Sequence, residues 1–423
     1  MGETGAGVSL LARDALEWLL VRGQGCGTGL AWTGRPDDDE LDPTLYSGAA
    51  GIVLALLEGY RHFGDDRYGE AAELGARSVA AAVIEGWELS SLYTGLAGMA
   101  FALREVHRVL GDSSADQAAD RALGLVRSRF DGERWSDQFE LLGGNAGIAL
   151  AAWRAGDLDL AVMAVTPYLR RAEVTAGGVH WEVRARFPAR FHHISHGTLG
   201  IVCALAAIGR AAGRGDLIEL ALAGAADVVS RNEAGPDGFL VPHSDPQHKP
   251  ELVERYSYGW CHGPAGDAQA FRLLAQVTGD PAWPRLAVRC WHTVTQSGLP
   301  HRLRPGFWDN SGRCCGTAGV LALACDRDVE QPGDLTFAQV LVDDLVARAT
   351  VDAQGARWCN YEHRATPSTL APRTGWAMGN AGIIRELLRY ARIRDGRDPG
   401  YAITWPDQPP ATFPTQPPPT AAR

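Results

Sequence analysis

Gly259-Trp260-Cys261-His262-Gly263-Pro264-Ala265-Gly266 and, further along, Arg313-Cys314-Cys315-Gly316-Thr317-Ala318-Gly319 are built alike. In each, cysteine stands just ahead of, or within, a Gly-x-x-Gly turn of small residues. There the missing Cβ lets the backbone bend sharply and aim side chains toward a common cavity. Five more segments repeat the pattern: Tyr46-Ser47-Gly48-Ala49-Ala50-Gly51, Tyr93-Thr94-Gly95-Leu96-Ala97-Gly98, Leu142-Gly143-Gly144-Asn145-Ala146-Gly147, Ser195-His196-Gly197-Thr198-Leu199-Gly200 and Met378-Gly379-Asn380-Ala381-Gly382. The closing glycines fall at 51, 98, 147, 200, 266, 319 and 382, so successive steps of 47, 49, 53, 66, 53 and 63 residues each leave room for two helices.

After each turn come runs that are apolar nearly all round, such as Ile52 to Leu57, Met99 to Leu103, Ile201 to Ile208 and Val320 to Ala324. That is the pattern of a helix buried on every side. Between them lie amphipathic stretches, Arg67 to Ile84, Ala115 to Phe130, Gly215 to Arg231 and Thr336 to Ala349, which read as outer helices. Outer and inner helices alternating seven times predict an all-α fold, an α/α toroid with its glycine turns at one end. Short β-prone pieces, Gly178 to Phe187 and Gly355 to Glu362, are expected to form hairpins on the turn-bearing face. No step leaves room for an inserted domain, so residues 1–400 are expected to form one α/α-barrel catalytic domain. From Trp405 onward seven prolines crowd the chain, and residues 401–423 read as a disordered, solvated tail.

The 46% hydrophobic fraction is ample for a large core, and the net charge is −10 with Lys249 the sole lysine. With no basic cluster, nucleic acid and anionic membrane are not expected partners. The N-terminus lacks a charged region followed by an apolar run, and no apolar span is long enough to cross a bilayer, so a cytoplasmic protein is expected. Eight cysteines in such a chain suit reduced thiols. The glycine-rich stretch Gly23 to Gly29 runs into an acidic segment, Asp37 to Glu40, rather than a helix, and so reads as a loop, not a phosphate cradle. No kinase motif set is present.

Cys261, Cys314 and Cys315 lack the paired Cys-x-x-Cys knuckles of structural zinc sites. Spacing alone leaves two readings open, a metal site or inert cysteines in a helical core. Cys203, Cys290 and Cys325 sit in apolar helical contexts and read as core; Cys26 and Cys359 have no assigned place.

Seven Gly-x-x-Gly repeats, Trp-Cys-His-Gly in the fifth and Cys-Cys-Gly-Thr-Ala-Gly in the sixth resemble the lanthionine synthetase C-like (LanC-like) family over nearly the whole chain. The resemblance implies an α/α barrel with zinc at the end of its cavity, held by Cys261, Cys314 and Cys315. Cys315 replaces the histidine that is usual in the family and marks a Cys-Cys-Gly variant. Three protein ligands would leave a fourth position for a thiol, which coordination deprotonates near neutral pH. The implied reaction adds a peptide cysteine to dehydroalanine or dehydrobutyrine, giving lanthionine or methyllanthionine thioether rings in lanthipeptide biosynthesis. The implied partners are a dehydrated precursor peptide and a separate dehydratase or kinase-lyase.

The carbanion left by the addition must be protonated, which calls for an acid near the metal. His196 matches the family's catalytic histidine; its other reading is a helix cap. Glu140 stands where the family usually has aspartate and could orient His196 or a water, or be an ordinary cap carboxylate. His262 is a second acid candidate, or a hydrogen-bond donor to a metal-bound sulfur. Trp260 is expected to pack under the site. Two other functions stay open. One is intermolecular addition of a small thiol such as glutathione to dehydrated residues. The other is a non-catalytic scaffold braced by zinc, with His262 as a fourth ligand.

Overall fold

The computed structural model describes residues 5–27 and 29–413. Seven inner helices line the barrel: α2 (Ala49–Phe63), α4 (Leu96–Leu110), α6 (Asn145–Arg154), α9 (Thr198–Ala212), α11 (Pro264–Thr278), α13 (Thr317–Glu330) and α15 (Asn380–Arg394). Each packs on the next, and α15 packs back on α2. Outside them run α3 (Asp66–Glu85), α5 (Ser113–Ser128), α7 (Leu158–Val165) with the single turn α8 (Tyr168–Arg171), α10 (Gly215–Val229), α12 (Ala282–Gln296) and α14 (Thr336–Arg348). The first helix, α1 (Gly5–Arg22), completes the outer layer against α15. Periodicity accounts for the layers. In α9 every residue from Thr198 to Gly209 is buried, whereas α12 buries only the stripe Leu286, Ala287, Cys290 and Val294.

The seven turns close on one another through backbone hydrogen bonds. The amide of Tyr46 donates to the carbonyl of Tyr93, Tyr93 to Leu142, Leu142 to Ser195, Ser195 to Cys261, Cys261 to Cys314, Cys314 to Ala377, and Ala377 back to Tyr46, at 2.8–3.3 Å. This ring explains the spacing of the glycines better than backbone bending does. A Cβ at the closing glycine would meet the carbonyl oxygen six residues earlier, at 1.8 Å for Gly98 on Leu92 and 1.9 Å for Gly266 on Trp260. Close approach, rather than a left-handed conformation, is what these positions require.

The remaining structure is five short antiparallel pairs. β1 (Gln24–Cys26) and β2 (Gly29–Ala31) make the glycine-rich stretch a hairpin. β3 (Glu173–Val174) pairs β4 (Val179–His180), and β5 (Arg190–Phe191) pairs the distant β6 (Ser244–Asp245). β7 (Thr350–Asp352) pairs β8 (Gly355–Arg357), and β9 (Asn360–Tyr361) pairs β10 (Thr369–Leu370). The expected hairpins are therefore shifted. Gly178 and Gly355, read as their first residues, sit at the reversal with φ of 153° and 107°, so the paired arm lies before them.

The expectation of a solvated tail from residue 401 is corrected for the described part, while residues 414–423 lie outside the described residues. Residues 401–408 thread into the barrel. Ile403 and Trp405 are buried, Trp405 stacks on Trp376 at 4.8 Å, and Arg385 donates to the Ile403 carbonyl and to Gln408. Tyr401 donates to Glu386 at 2.6 Å and lies under the guanidinium of Arg385. These partners belong to a buried ionic network, Arg313–Glu386, Arg392–Glu58 and Arg389–Asp326, which the strap covers. Trp405→Ala is expected to cost about 3–5 kcal/mol of stability, as for other fully buried large aromatics. A shift in the denaturant midpoint measures it, and an unchanged midpoint would return the segment to a surface tail.

Candidate metal centre and its histidine cluster

Cys261 and Cys314 belong to consecutive turns and are direct neighbours in the backbone ring, which sets their side chains beside each other. With Cys315 they bring three sulfur atoms within 4.8 Å of one another. Cys261 Sγ lies 3.0 Å from Cys315 Sγ, and Cys314 Sγ 3.4 Å from Cys315 Sγ. Cys261 and Cys314 are buried; Cys315 is exposed at the open edge. The Tyr46 hydroxyl donates to Cys314 Sγ at 3.4 Å. Thiol hydrogen bonds from Cys261 and then Cys315 hold Cys314 well below the usual thiol range, while the same contacts push Cys261 up. Three sulfurs this close cannot all ionise without a cation among them. A tetrahedral zinc with bonds of about 2.3 Å needs sulfurs about 3.8 Å apart, so this soft, convergent donor set fits that metal with small movements. Among the described residues no histidine, aspartate or glutamate atom joins the three sulfurs.

Trp260 forms the floor. Its ring meets Tyr93 and Trp376 edge-on, and its Nε1 donates to Asp407 of the C-terminal strap at 3.1 Å. Beneath it the buried guanidinium of Arg313 faces the Trp260 ring and bonds to Glu386.

His196, in the fourth turn, places Nδ1 3.3 Å from Glu140 Oε1. Burial works against its charged form, but the hydrogen bond and charge of Glu140, together with the charge of Cys314, outweigh burial and raise its pKa above the ordinary histidine value. Glu140 is buried, and its two oxygens accept the amides of Leu142 and Gly143, so its carboxylate is fixed in place. His262 stacks on His196 at 5.4 Å between centroids and lies tilted against His243 at 4.0 Å. Burial, then the neighbouring histidines His243, His196 and His193, push its pKa well below the usual value, so it is neutral at pH 7.

A second acid–imidazole pair had no place in the reading of the sequence. His193 Nδ1 lies 2.9 and 3.0 Å from the carboxylate oxygens of Asp267, both side chains are fully buried, and His193 Nε2 has no partner. The run His192-His193-Ile194-Ser195-His196 and an aspartate opening an apolar helix were the available signals. Cys203, Cys290 and Cys325 are buried in the helical layers, where burial pushes their thiols up. Cys26 is exposed and Cys359 half-buried.

Three cavities open on this face. One of about 320 Å³ is lined by Glu140, His196, His243 and His262. A second, of about 390 Å³, runs between Tyr46 and His196, and a third, of about 770 Å³, joins Tyr46 to the acidic run Asp37–Glu40. Among the described residues no helix is long and apolar enough to cross a membrane.

A family model described as "Lanthionine synthetase C-like protein" matches residues 39–251 and 247–342. Comparison with curated proteins gave no match. Among solved structures, nisin cyclase aligns over 82% of this chain and 88% of its own at 16% identity, with a TM-score of 0.61. An unsaturated glucuronyl hydrolase from Bacillus sp. GL1 is 16% identical over 84% of this chain and 98% of its own, TM-score 0.51. An inactive variant of the α-1,6-mannanase of Salegentibacter sp. HEL1_6 is 11% identical over 91% and 99%, TM-score 0.50. At these identities the three structures establish the helical-toroid fold and nothing finer.

Proposed function

We propose, given that this chain belongs to the lanthionine synthetase C-like family, that it is a zinc-dependent cyclase closing thioether rings in a dehydrated peptide. The observation that carries the reading is the convergence of Cys261, Cys314 and Cys315 at an edge opening beside the His196–Glu140 pair. Zinc held by the three sulfurs would lower the pKa of an incoming peptide thiol so that it reacts as thiolate near neutral pH. In the addition, sulfur bonds to the β-carbon of dehydroalanine or dehydrobutyrine, the π bond between the α- and β-carbons breaks with its electron pair moving to the α-carbon, and that carbon takes up a proton. The thiol proton is lost, one is gained, and no mass changes.

His196 supplies that proton. Its Nδ1 is held by Glu140, so Nε2 is the nitrogen left to face the substrate, and the raised pKa keeps the proton available. Glu140 cannot turn toward substrate without giving up two backbone amides, so it acts by positioning His196. His262, neutral and wedged between His196 and His243, confines the imidazole of His196. Tyr46, whose hydroxyl donates to Cys314, spreads that sulfur's negative charge.

The deciding experiment incubates the zinc-loaded protein with a peptide bearing one dehydroalanine and one cysteine. The product should keep the mass of the substrate and no longer react with an alkylating agent. A peptide that stays alkylatable at the rate seen without protein would overturn the reading, and a mass increase on adding a small thiol would point to intermolecular addition instead.

Cys315 gives a further test. Three thiolates leave the metal site at net −1, against neutral for a Cys-Cys-His set, and more negative charge weakens the metal's hold on substrate sulfur. Cys315→His is expected to keep zinc but to cyclise more slowly and accept fewer ring sizes. Unchanged rate and range across a peptide series would remove any role for the third sulfur.

A further inference from the structure

The cleft of about 320 Å³ above His196 has a second set of walls that the ring-closing chemistry leaves unused. Phe187 and Phe191, stacked at 5.2 Å, form one side with Val183. Arg184, His248 and Lys249 stand at the mouth, and His243 lies deeper beside His262. Arg184 and Lys249 are exposed and make no ion pair among the described residues. The one acid lining the cleft, Glu140, is already committed to His196 and two amides. In a chain of net charge −10 this mouth is therefore locally cationic.

A further observation marks it as a built site. Among the described residues, Arg186 (φ 59°) and Lys249 (φ 46°) are the non-glycine residues held in left-handed backbone, and they lie on the two segments that frame the cleft. Backbone of this kind persists only where the surrounding structure holds it in place. Here it sets the segment bearing Arg184 and Phe187 opposite the one bearing His248 and Lys249, and the β5–β6 pair ties the two together.

We propose that this cleft is a subsite for an acidic side chain, Asp or Glu, of the peptide substrate, lying next to the reacting residues in the peptide chain. The carboxylate sits between Arg184 and Lys249, and the methylene stem lies against Phe187 and Phe191. The arrangement suits an anion on a short apolar stem, because aromatic walls alone would not select charge and exposed cations alone would not select a stem. The assignment names the substrate preference of the cyclase site and rests on that reading of it.

The test uses the full-length, zinc-loaded protein and three peptides that differ at one position flanking the reacting pair, Glu, Gln or Lys. Alanine replaces dehydroalanine in a parallel set, so that binding is read by fluorescence anisotropy without reaction. The Glu peptide should bind about three- to tenfold more tightly than the Gln peptide, the range for one or two partly exposed ion pairs, and the Lys peptide more weakly than either. In the double variant Arg184→Glu/Lys249→Glu, at two exposed positions, the order of Glu and Lys peptides should invert. Equal binding of the three peptides, or a Glu preference that survives the double reversal, would overturn the subsite. The reactive set separates this from the parent reading. A Glu preference in binding with no cyclisation of any peptide removes the cyclase and leaves the subsite, whereas cyclisation of all three at equal affinity does the reverse.

Discussion

Cys261→Ala is expected to strip the zinc from the protein and to abolish thioether formation while leaving the barrel folded. Two remaining sulfurs cannot make a stable tetrahedral site, and Cys315 is exposed to competing water. Fold is spared because the backbone ring uses the amide and carbonyl of residue 261, which alanine keeps. Without the metal a substrate cysteine near pH 7 is only a few per cent thiolate, a loss of about 30-fold before any loss of positioning is counted. Elemental analysis, circular dichroism and single-turnover rates check the three parts separately. Full zinc in the variant would show that the ligand set is wrong, and unfolding would make the metal a structural brace.

His196→Asn is expected to leave zinc bound and slow ring closure by roughly 10²–10⁴-fold, the span for losing a positioned acid. The pH dependence carries a sign. Burial opposes the protonated form of His196, yet Glu140 and the nearby charge of Cys314 more than compensate, so the acid form persists above the ordinary histidine range and the rate falls as pH rises through the raised pKa. Glu140→Gln removes the charge that raises it, and the descending limb should move to lower pH with zinc content unchanged. A limb that stays in place would assign the proton to another group.

Much of this site is written in local sequence. The seven turns, their spacing and the apolar runs behind them announce the toroid, because a helix buried on all sides needs apolar residues at every position. Cys261, Cys314, Cys315, His196 and Glu140 stand in or just before those turns, so their convergence follows once the ring closes. What stayed hidden depends on long-range pairing. Proline content made residues 401–413 look unstructured, whereas a seat for Trp405 and Asp407 exists only after Trp376, Tyr93 and Trp260 have assembled. His193 and Asp267 lie on different repeats and meet only across the inner layer. Gly178 and Gly355 opened stretches legible as β-prone, but whether a strand precedes or follows a glycine is decided by its partner.

The ring of seven amides points the same way round at every step, so its peptide dipoles cancel on the barrel axis and contribute stiffness without an axial field. The inner helices behave oppositely. All seven begin at their turns, at Gly48, Gly95, Gly144, Gly197, Gly263, Gly316 and Gly379, and so present their positive ends to a single face. Each end is equivalent to about half a positive charge. Cys315 directly precedes one of these starts and Cys261 lies two residues before another, so the sulfurs rest where the parallel array is most positive. An acidic protein thereby offers an electropositive mouth made of main chain, which lowers the cost of gathering sulfur charge there and does not change with pH.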